Sequence, residues 1–177
     1  MDTLIKTRGE LSEIEIKKIK TFLINIFSDI PEYPQRVYSQ PNLKTIILFT
    51  KNDNLIAHAA IFERETTVEG KRYLIGGVGD VAVSEDKRKL GLGSQIMSKV
   101  NDVLKKDGYQ FGLLFCDPVL HNFYSKSGWI KKTGRVYYHS DEKLQHESTS
   151  YILPLKLQEN DLDKILNEPF DIGEGTF

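Results

Sequence analysis

Apolar positions fall into two rhythms along this chain. Between Leu11 and Ile30 they recur every three or four residues, at Ile16, Ile19, Leu23, Ile26 and Ile30. That spacing predicts a helix, and Ser12 with Glu15 gives a capping-box pattern at its start. From Leu43 the rhythm changes to β-rich runs, "LKTIILFT", "LIAHAAIFERETTV" and "RYLIGGVGDVAV", broken by the polar turns "KNDN" and "EGK". Three consecutive antiparallel strands are expected there. Gly76, Gly77 and Gly79 inside the third would weaken it unless a bulge or a close backbone approach requires them. The helical rhythm returns at Leu92, Ile96, Val100 and Val103 and closes on Lys105 and Lys106 before Gly108.

Shorter elements flank these. "TLIKTR" reads as a first strand, and the three prolines of "PEYPQRVYSQPN" break any regular element. "FGLLFC" is a nearly continuous apolar run, as in a buried strand. "DPVLHNFYSKSG" is a short helix with Asp117 as N-cap, Pro118 at its first position and Gly128 past its end. "WIKKTGRVYYHS" and "TSYILPLK" read as two last strands joined by the polar loop "DEKLQHES". A helical crossover between "DVAV" and "FGLLFC" permits those two strands to run parallel in an otherwise antiparallel sheet. The expected class is α/β (α+β), one mixed sheet covered by helices. Residues 1–156 form the expected domain and 157–177 an acidic tail.

Composition narrows the function classes. A chain of 177 residues suits one domain, and a formal net charge of -1 gives no reason to expect nucleic acid or an anionic membrane as partner. One cysteine, Cys116, excludes an intrachain disulfide and a multi-cysteine metal site, and the histidines have no metal-ligand spacing, so no metal is expected. The N-terminus shows no apolar leader core and no run is long enough to span a bilayer, so a cytoplasmic monomer or homodimer is the expectation.

The segment "DVAVSEDKRKLGLGSQIM" carries the most chemistry. A strand empties through a basic, glycine-punctuated turn into a helix, whose N-terminus offers unpaired N–H groups and partial positive charge to phosphate. Gly91 and Gly93 allow close backbone approach, while Lys87, Arg88 and Lys89 add charge. There is no P-loop string, and "GLGSQI" puts Ile96 where a dinucleotide fingerprint needs its third glycine.

Arg-x-x-Gly-x-Gly, at Arg88, Gly91 and Gly93, resembles the pyrophosphate loop of the GNAT superfamily of N-acetyltransferases. "NFYSKSGW" is similar to that family's second hallmark, an aromatic-Tyr-x-x-x-Gly-aromatic helix end following the next parallel strand. The resemblance implies a GNAT fold with helices on both faces. Its two central parallel strands splay apart, and the pantetheine arm lies in the gap. Acetyl-CoA is the implied co-substrate and a small-molecule amine the acceptor, with direct transfer through a tetrahedral intermediate. Coenzyme A would meet Val81, Ala82 and Val83 on the strand, then Arg88, Lys89, Leu90, Gly91, Leu92, Gly93 and Ser94 on the loop and helix. The resemblance makes Tyr124 the acid that protonates the thiolate; packing on its helix face with Leu120 and Phe123 is the other reading.

The base stays open. Asp80 stands at an often acidic position, whereas the preceding residue, frequently glutamate in relatives, is Gly79. Asp80 itself, another strand or a water chain could take the proton. His58 faces either the same cleft or the core, and Cys116 reads as a small apolar residue rather than a nucleophile. Substrate contacts are expected from Tyr33, Tyr38, His58 and Asp80. The tail, with Glu159, Asp161, Asp163, Glu168, Asp171 and Glu174 against Lys164, would form an acidic rim with Tyr33, Tyr38 and Tyr137 for a cationic amine. A narrower likeness, from "IAHAAIFERE" to "LGLGSQIM", is to aminoglycoside 2'-N-acetyltransferases and, less closely, nodulation-type N-acyltransferases. A protein or peptide N-acetyltransferase and a non-catalytic acyl-CoA sensor remain the rival classes.

Overall fold

The computed structural model describes residues 1–31, 33–36, 42–140, 143–147 and 149–177; of the side chains of residues 35, 36 and 147 nothing is said. It divides into two compact units: Met1–Phe62 with Asp80–Val100, and Glu63–Gly79 with Asn101–Phe177. Two strands, β3 (Asn54–Val68) and β4 (Lys71–Val83), contribute to both.

The first unit begins with β1 (Asp2–Thr7), antiparallel to β2 (Leu43–Lys51), which is in turn antiparallel to β3. The strand order there is β1-β2-β3-β4. Asn52 and Asp53 reverse the chain between β2 and β3 with φ of 51° and 59°, which Asn and Asp tolerate because their side chains bond locally. Helix α1 (Glu13–Ile26) starts as its sequence requires. The Ser12 hydroxyl accepts from the Glu15 N–H at 3.3 Å, and the Glu15 carboxylate accepts from the Ser12 N–H at 2.9 Å. Ile19 and Leu23 carry its buried stripe. The short helix α2 (Tyr33–Arg36) follows, the Tyr33 ring resting 4.8 Å from that of Phe27. Residues 56–62 of β3 are buried without alternation, so "IAHAAIF" is covered on both faces, where alternation has no meaning.

In the second unit the order is β3-β4-β5-β9-β6, with β5 at Phe111–Phe115, β6 at Ile130–Lys131 and β9 at Ser150–Pro154. β5 runs parallel to β4 and antiparallel to β9, the expected mixed arrangement. Helix α3 (Leu92–Lys106) makes the crossover, its Leu92, Ile96, Val100 and Val103 buried as the spacing predicts. After β5 comes a 3-10 turn, Pro118–Leu120, capped by the Asp117 carboxylate accepting from the Val119 N–H at 2.8 Å, then α4 (His121–Ser125).

The structure corrects the reading of the last third. "WIKKTGRVYYHS" is not one strand: β6 and β7 (Val136–Ser140) belong to different sheets, separated at Lys132–Arg135. The polar loop contains β8 (Lys143–Glu147), and the acidic tail folds as helix α5 (Glu159–Asn167) and strand β10 (Phe170–Glu174). β10 pairs parallel to β7 and β7 antiparallel to β8, making a second, three-stranded sheet. Ile165, Phe170 and Ile172 enter the same buried cluster as Ile75, Phe111 and Ile152, so the tail completes this unit's core. Its charges lie on the outer side: Asp161 pairs with Lys71 at 2.6 Å, and Asp171 with His139 at 2.8 Å.

Candidate active site

The site residues fall into two groups, one in each unit. In the first, Asp80 sits on β4 with φ of 51°, a conformation that costs a non-glycine residue energy and breaks the regular strand. Two side chains hold it. The Tyr33 hydroxyl donates to Asp80 Oδ1 at 2.5 Å, and His58 Nδ1–H donates to the Asp80 carbonyl at 2.8 Å. A carbonyl only accepts, so that bond fixes the Nδ1–H tautomer of the imidazole. His58 is fully buried, and burial lowers its pKa despite the nearby Asp80 charge. Tyr33, His58 and Asp80, far apart in sequence, thus form one cluster. Tyr38 lies outside the described residues.

The same strand leads into the basic turn. After Val83 a 3-10 turn, Glu85–Lys87, delivers the chain to Lys89 and Gly91, with φ of 64° and 80°. A side chain at Gly91 would be strained whatever the space around it. The Gly91 carbonyl accepts from the Gln95 N–H at 3.1 Å, which makes Gly91 the cap of α3. The N–H groups of Leu92, Gly93 and Ser94 therefore have no intrahelical partner. No acidic residue stands in this first turn, although first turns favour acids when nothing else meets the dipole. Arg88 is half exposed, 3.7 Å from Glu85, while Lys89 and Leu90 project outward. Free N–H groups, a left-handed glycine, two exposed cations and no acidic residue in the first helical turn fit a diphosphate such as that of coenzyme A.

In the second unit, Tyr124 stands on α4 with 5% of its surface exposed. Its position is set from behind. Trp129 is buried, its N–H donates to the Tyr124 carbonyl at 3.2 Å, and its indole Nε1–H donates to Asn101 Oδ1 at 3.1 Å. The Asn101 amide also donates to the Ser127 carbonyl at 2.9 Å, so α3 anchors the whole "FYSKSGW" turn. Burial raises the Tyr124 pKa strongly, with a smaller contribution from Cys116. The hydroxyl remains protonated at neutral pH and bonds none of the described residues. Burial and then Asp117 push the Cys116 thiol up to about 11, which leaves it a poor nucleophile. The Tyr151 ring lies 6.0 Å from that of Tyr124, and its hydroxyl meets His121 Nδ1 at 3.0 Å.

The β4–β5 ladder pairs Ile75–Val78 with Phe111–Leu114 and goes no further. Among the described residues no group of His, Cys, Asp and Glu could hold a metal ion. None of the described helices is long and apolar enough to cross a membrane.

A family model described as an acetyltransferase (GNAT) domain matches residues 10–131, well over half of the chain. The chain belongs to the GNAT acetyltransferase family. That stretch takes in the Asp80 cluster, the basic turn and Tyr124 of this GNAT protein. The aminoglycoside 2'-N-acetyltransferase of Mycolicibacterium fortuitum is 36% identical over 80 residues, which is 45% of this chain. The match spans only 40% of that relative's length. Among solved structures, the GNAT family N-acetyltransferase YhbS of Escherichia coli, determined in complex with CoA, superposes with a TM-score of 0.67 at 20% identity. The match covers 96% of this chain and 89% of that one. ElaA, also of Escherichia coli, gives a TM-score of 0.64 at 22% identity over 85% of this chain and 97% of its own. At these identities the two structures speak to the fold.

Sequence reasoning missed two residues of the second unit. Arg64 and Lys132 look like surface cations, yet both are buried. No local pattern announces that burial, because their partners are main-chain carbonyls far away in sequence.

Proposed function

We propose that this GNAT protein moves an acetyl group from acetyl-CoA to a primary amine of a small cationic molecule. The observation that carries the reading is the capped turn at Gly91, with its free N–H groups and exposed Arg88 and Lys89, on a family match that also contains Tyr124. Acetyl-CoA supplies an activated thioester when bound. Arg88 through Ser94 would hold its diphosphate, and the main-chain N–H groups of Val81 and Val83 would orient the acyl and pantetheine groups.

The chain's own residues then manage protons. Asp80 is the group assigned to take one from the acceptor ammonium. Tyr33 holds Oδ1, and no described residue bonds Oδ2, which leaves that oxygen to the amine. Tyr124, kept protonated by burial, is the group assigned to give a proton to the departing sulfur. His58 acts through its bond to the Asp80 carbonyl, fixing the turn that aims the carboxylate.

An aminoglycoside is the finer proposal for the acceptor, supported by the partial relative from Mycolicibacterium fortuitum. Free-thiol release from acetyl-CoA, followed with aminoglycosides, polyamines, amino acids and lysine peptides, tests both levels. Release with an aminoglycoside supports the finer reading. Release only with another amine discards it and keeps acetyl transfer. No release with any amine, while coenzyme A still binds, would leave a binding protein instead.

A further inference from the structure

Helix α4 turns one face toward β9. His121 and Tyr124 stand three residues apart, which puts both on the same side of the helix. The Tyr151 ring packs against both. Its centroid lies 5.8 Å from that of the His121 ring and 6.0 Å from that of Tyr124, with 35° between planes in each case. Tyr151 is itself held in the sheet, paired with Leu114 of β5 on one side and Lys131 of β6 on the other. All of these residues belong to the second unit. They make a row of three rings, with exposed His121 at one end, fully buried Tyr151 in the middle and buried Tyr124 at the other end.

The hydroxyls in that row are not equally served. A buried tyrosine hydroxyl costs stability unless it is bonded. That of Tyr151 meets His121 Nδ1 at 3.0 Å, and the Ser125 hydroxyl lies 3.3 Å from the same nitrogen. That of Tyr124 bonds none of the described residues. Burial first and Cys116 second raise both tyrosine hydroxyls, so both stand near that thiol. A Tyr124 that has given up its proton is a phenolate with 5% of the residue's surface exposed, an unfavourable charge with little direct access to solvent. The proton has to return through a neighbour, and the neighbour joined to solvent is Tyr151, by way of His121.

We propose that His121 and Tyr151 form a relay that returns a proton to Tyr124 after each transfer. The inference rests on the acetyl-transfer reading, in which Tyr124 is the acid. As the S–H bond of coenzyme A forms, the Tyr124 O–H bond breaks. The Tyr151 hydroxyl then gives its proton to the Tyr124 oxygen, and the proton on His121 Nδ1 replaces it on Tyr151. His121 Nε2 takes a proton from solvent, which the exposed ring reaches, so one proton enters for each one delivered. His121 and Tyr151 are positioning residues that act through Tyr124. Without them Tyr124 still starts protonated, and only its recovery is slow.

The test compares the first turnover of the full chain with later ones, read as thiol release from acetyl-CoA with the fastest of the aminoglycosides, polyamines, amino acids and lysine peptides. In His121→Gln and Tyr151→Phe the first turnover should stay within about twofold of wild type, while steady-state kcat falls by about tenfold or more and KM for acetyl-CoA holds. Glutamine keeps a donor for the Tyr151 hydroxyl and phenylalanine leaves no hydroxyl to satisfy, so both variants should fold. His121→Ala should regain most of its steady-state rate in added imidazole, because the site of the ring is exposed. Equal loss in first and later turnovers, with no gain from imidazole, would overturn the relay and leave acetyl transfer standing. Unchanged kcat in both variants would overturn it as well. No thiol release by the wild-type chain with any of these amines would remove the acetyl-transfer reading itself, and the relay with it.

Discussion

His58 gives the sharpest physical test because its protonation opposes folding. The imidazole is fully buried, its Nδ1–H is engaged by the Asp80 carbonyl, and burial lowers its pKa below the ordinary 6.5. The unfolded chain binds a proton at this residue below 6.5, and the folded chain does so only at lower pH. Stability is therefore full above the unfolded value and falls as pH drops below it, by up to about 1.4 kcal/mol per pH unit for one proton. From about pH 7.5 to about pH 5.5 the loss from this group reaches at most about 1.4 kcal/mol, which for a chain of this size lowers Tm by at most about 3–6 °C. Most carboxylates titrate below this window. His58→Gln retains a donor for the Asp80 carbonyl and removes the titration. Thermal unfolding of both proteins across the window measures the difference, and the variant should lose this component. Identical pH dependence would show that His58 is not the buried neutral group described, and its hold on Asp80 would fall with it.

Three further outcomes follow from the site and its supports. Tyr124→Phe should lower kcat by about a hundredfold with KM for acetyl-CoA little changed, and steady-state thiol release reads both. Cys116, pushed up from 9.0 to about 11, should alkylate about a hundredfold more slowly at neutral pH than an unperturbed thiol, and Cys116→Ala should retain acetyl transfer. Lys132→Met keeps the stem but removes the donor from the carbonyls of Ile165 and Glu168. It should cost about 2 kcal/mol in urea unfolding, which a surface lysine would not.

How far each feature could be read depended on the range of the forces that make it. The Ser12–Glu15 cap, the reversal at Asn52 and Asp53, the α3 stripe and the Asp117 cap are made within a few residues, and each stands where its residues predict. The parallel pairing of β4 with β5 was legible from connection length alone, because a helix between two strands brings them back side by side. The basic turn was legible too, since a glycine at φ of 80° is a local requirement. The last third was not. β7 follows β6 after only four residues, yet the two belong to different sheets, because Lys132 and Thr133 turn aside to bond the end of α5. An acidic, polar stretch also became α5 and β10, since Ile165, Phe170 and Ile172 had an apolar cluster to join.

By itself, then, the sequence determined the local elements, the β4–α3–β5 crossover and the basic, glycine-punctuated turn, all set by periodicity, capping and backbone conformation. Only the tertiary structure decided which distant groups meet. It placed Tyr33 on Asp80 across 47 residues, Arg64 on the carbonyls of Ile172 and Glu174 across more than 100, and Phe177 on Gly77 and Gly79. Hydrogen bonds to main-chain carbonyls carry no residue signature on the accepting side, and burial of a cation depends on what folds over it. Those contacts are fixed by packing, and packing is a property of the whole chain.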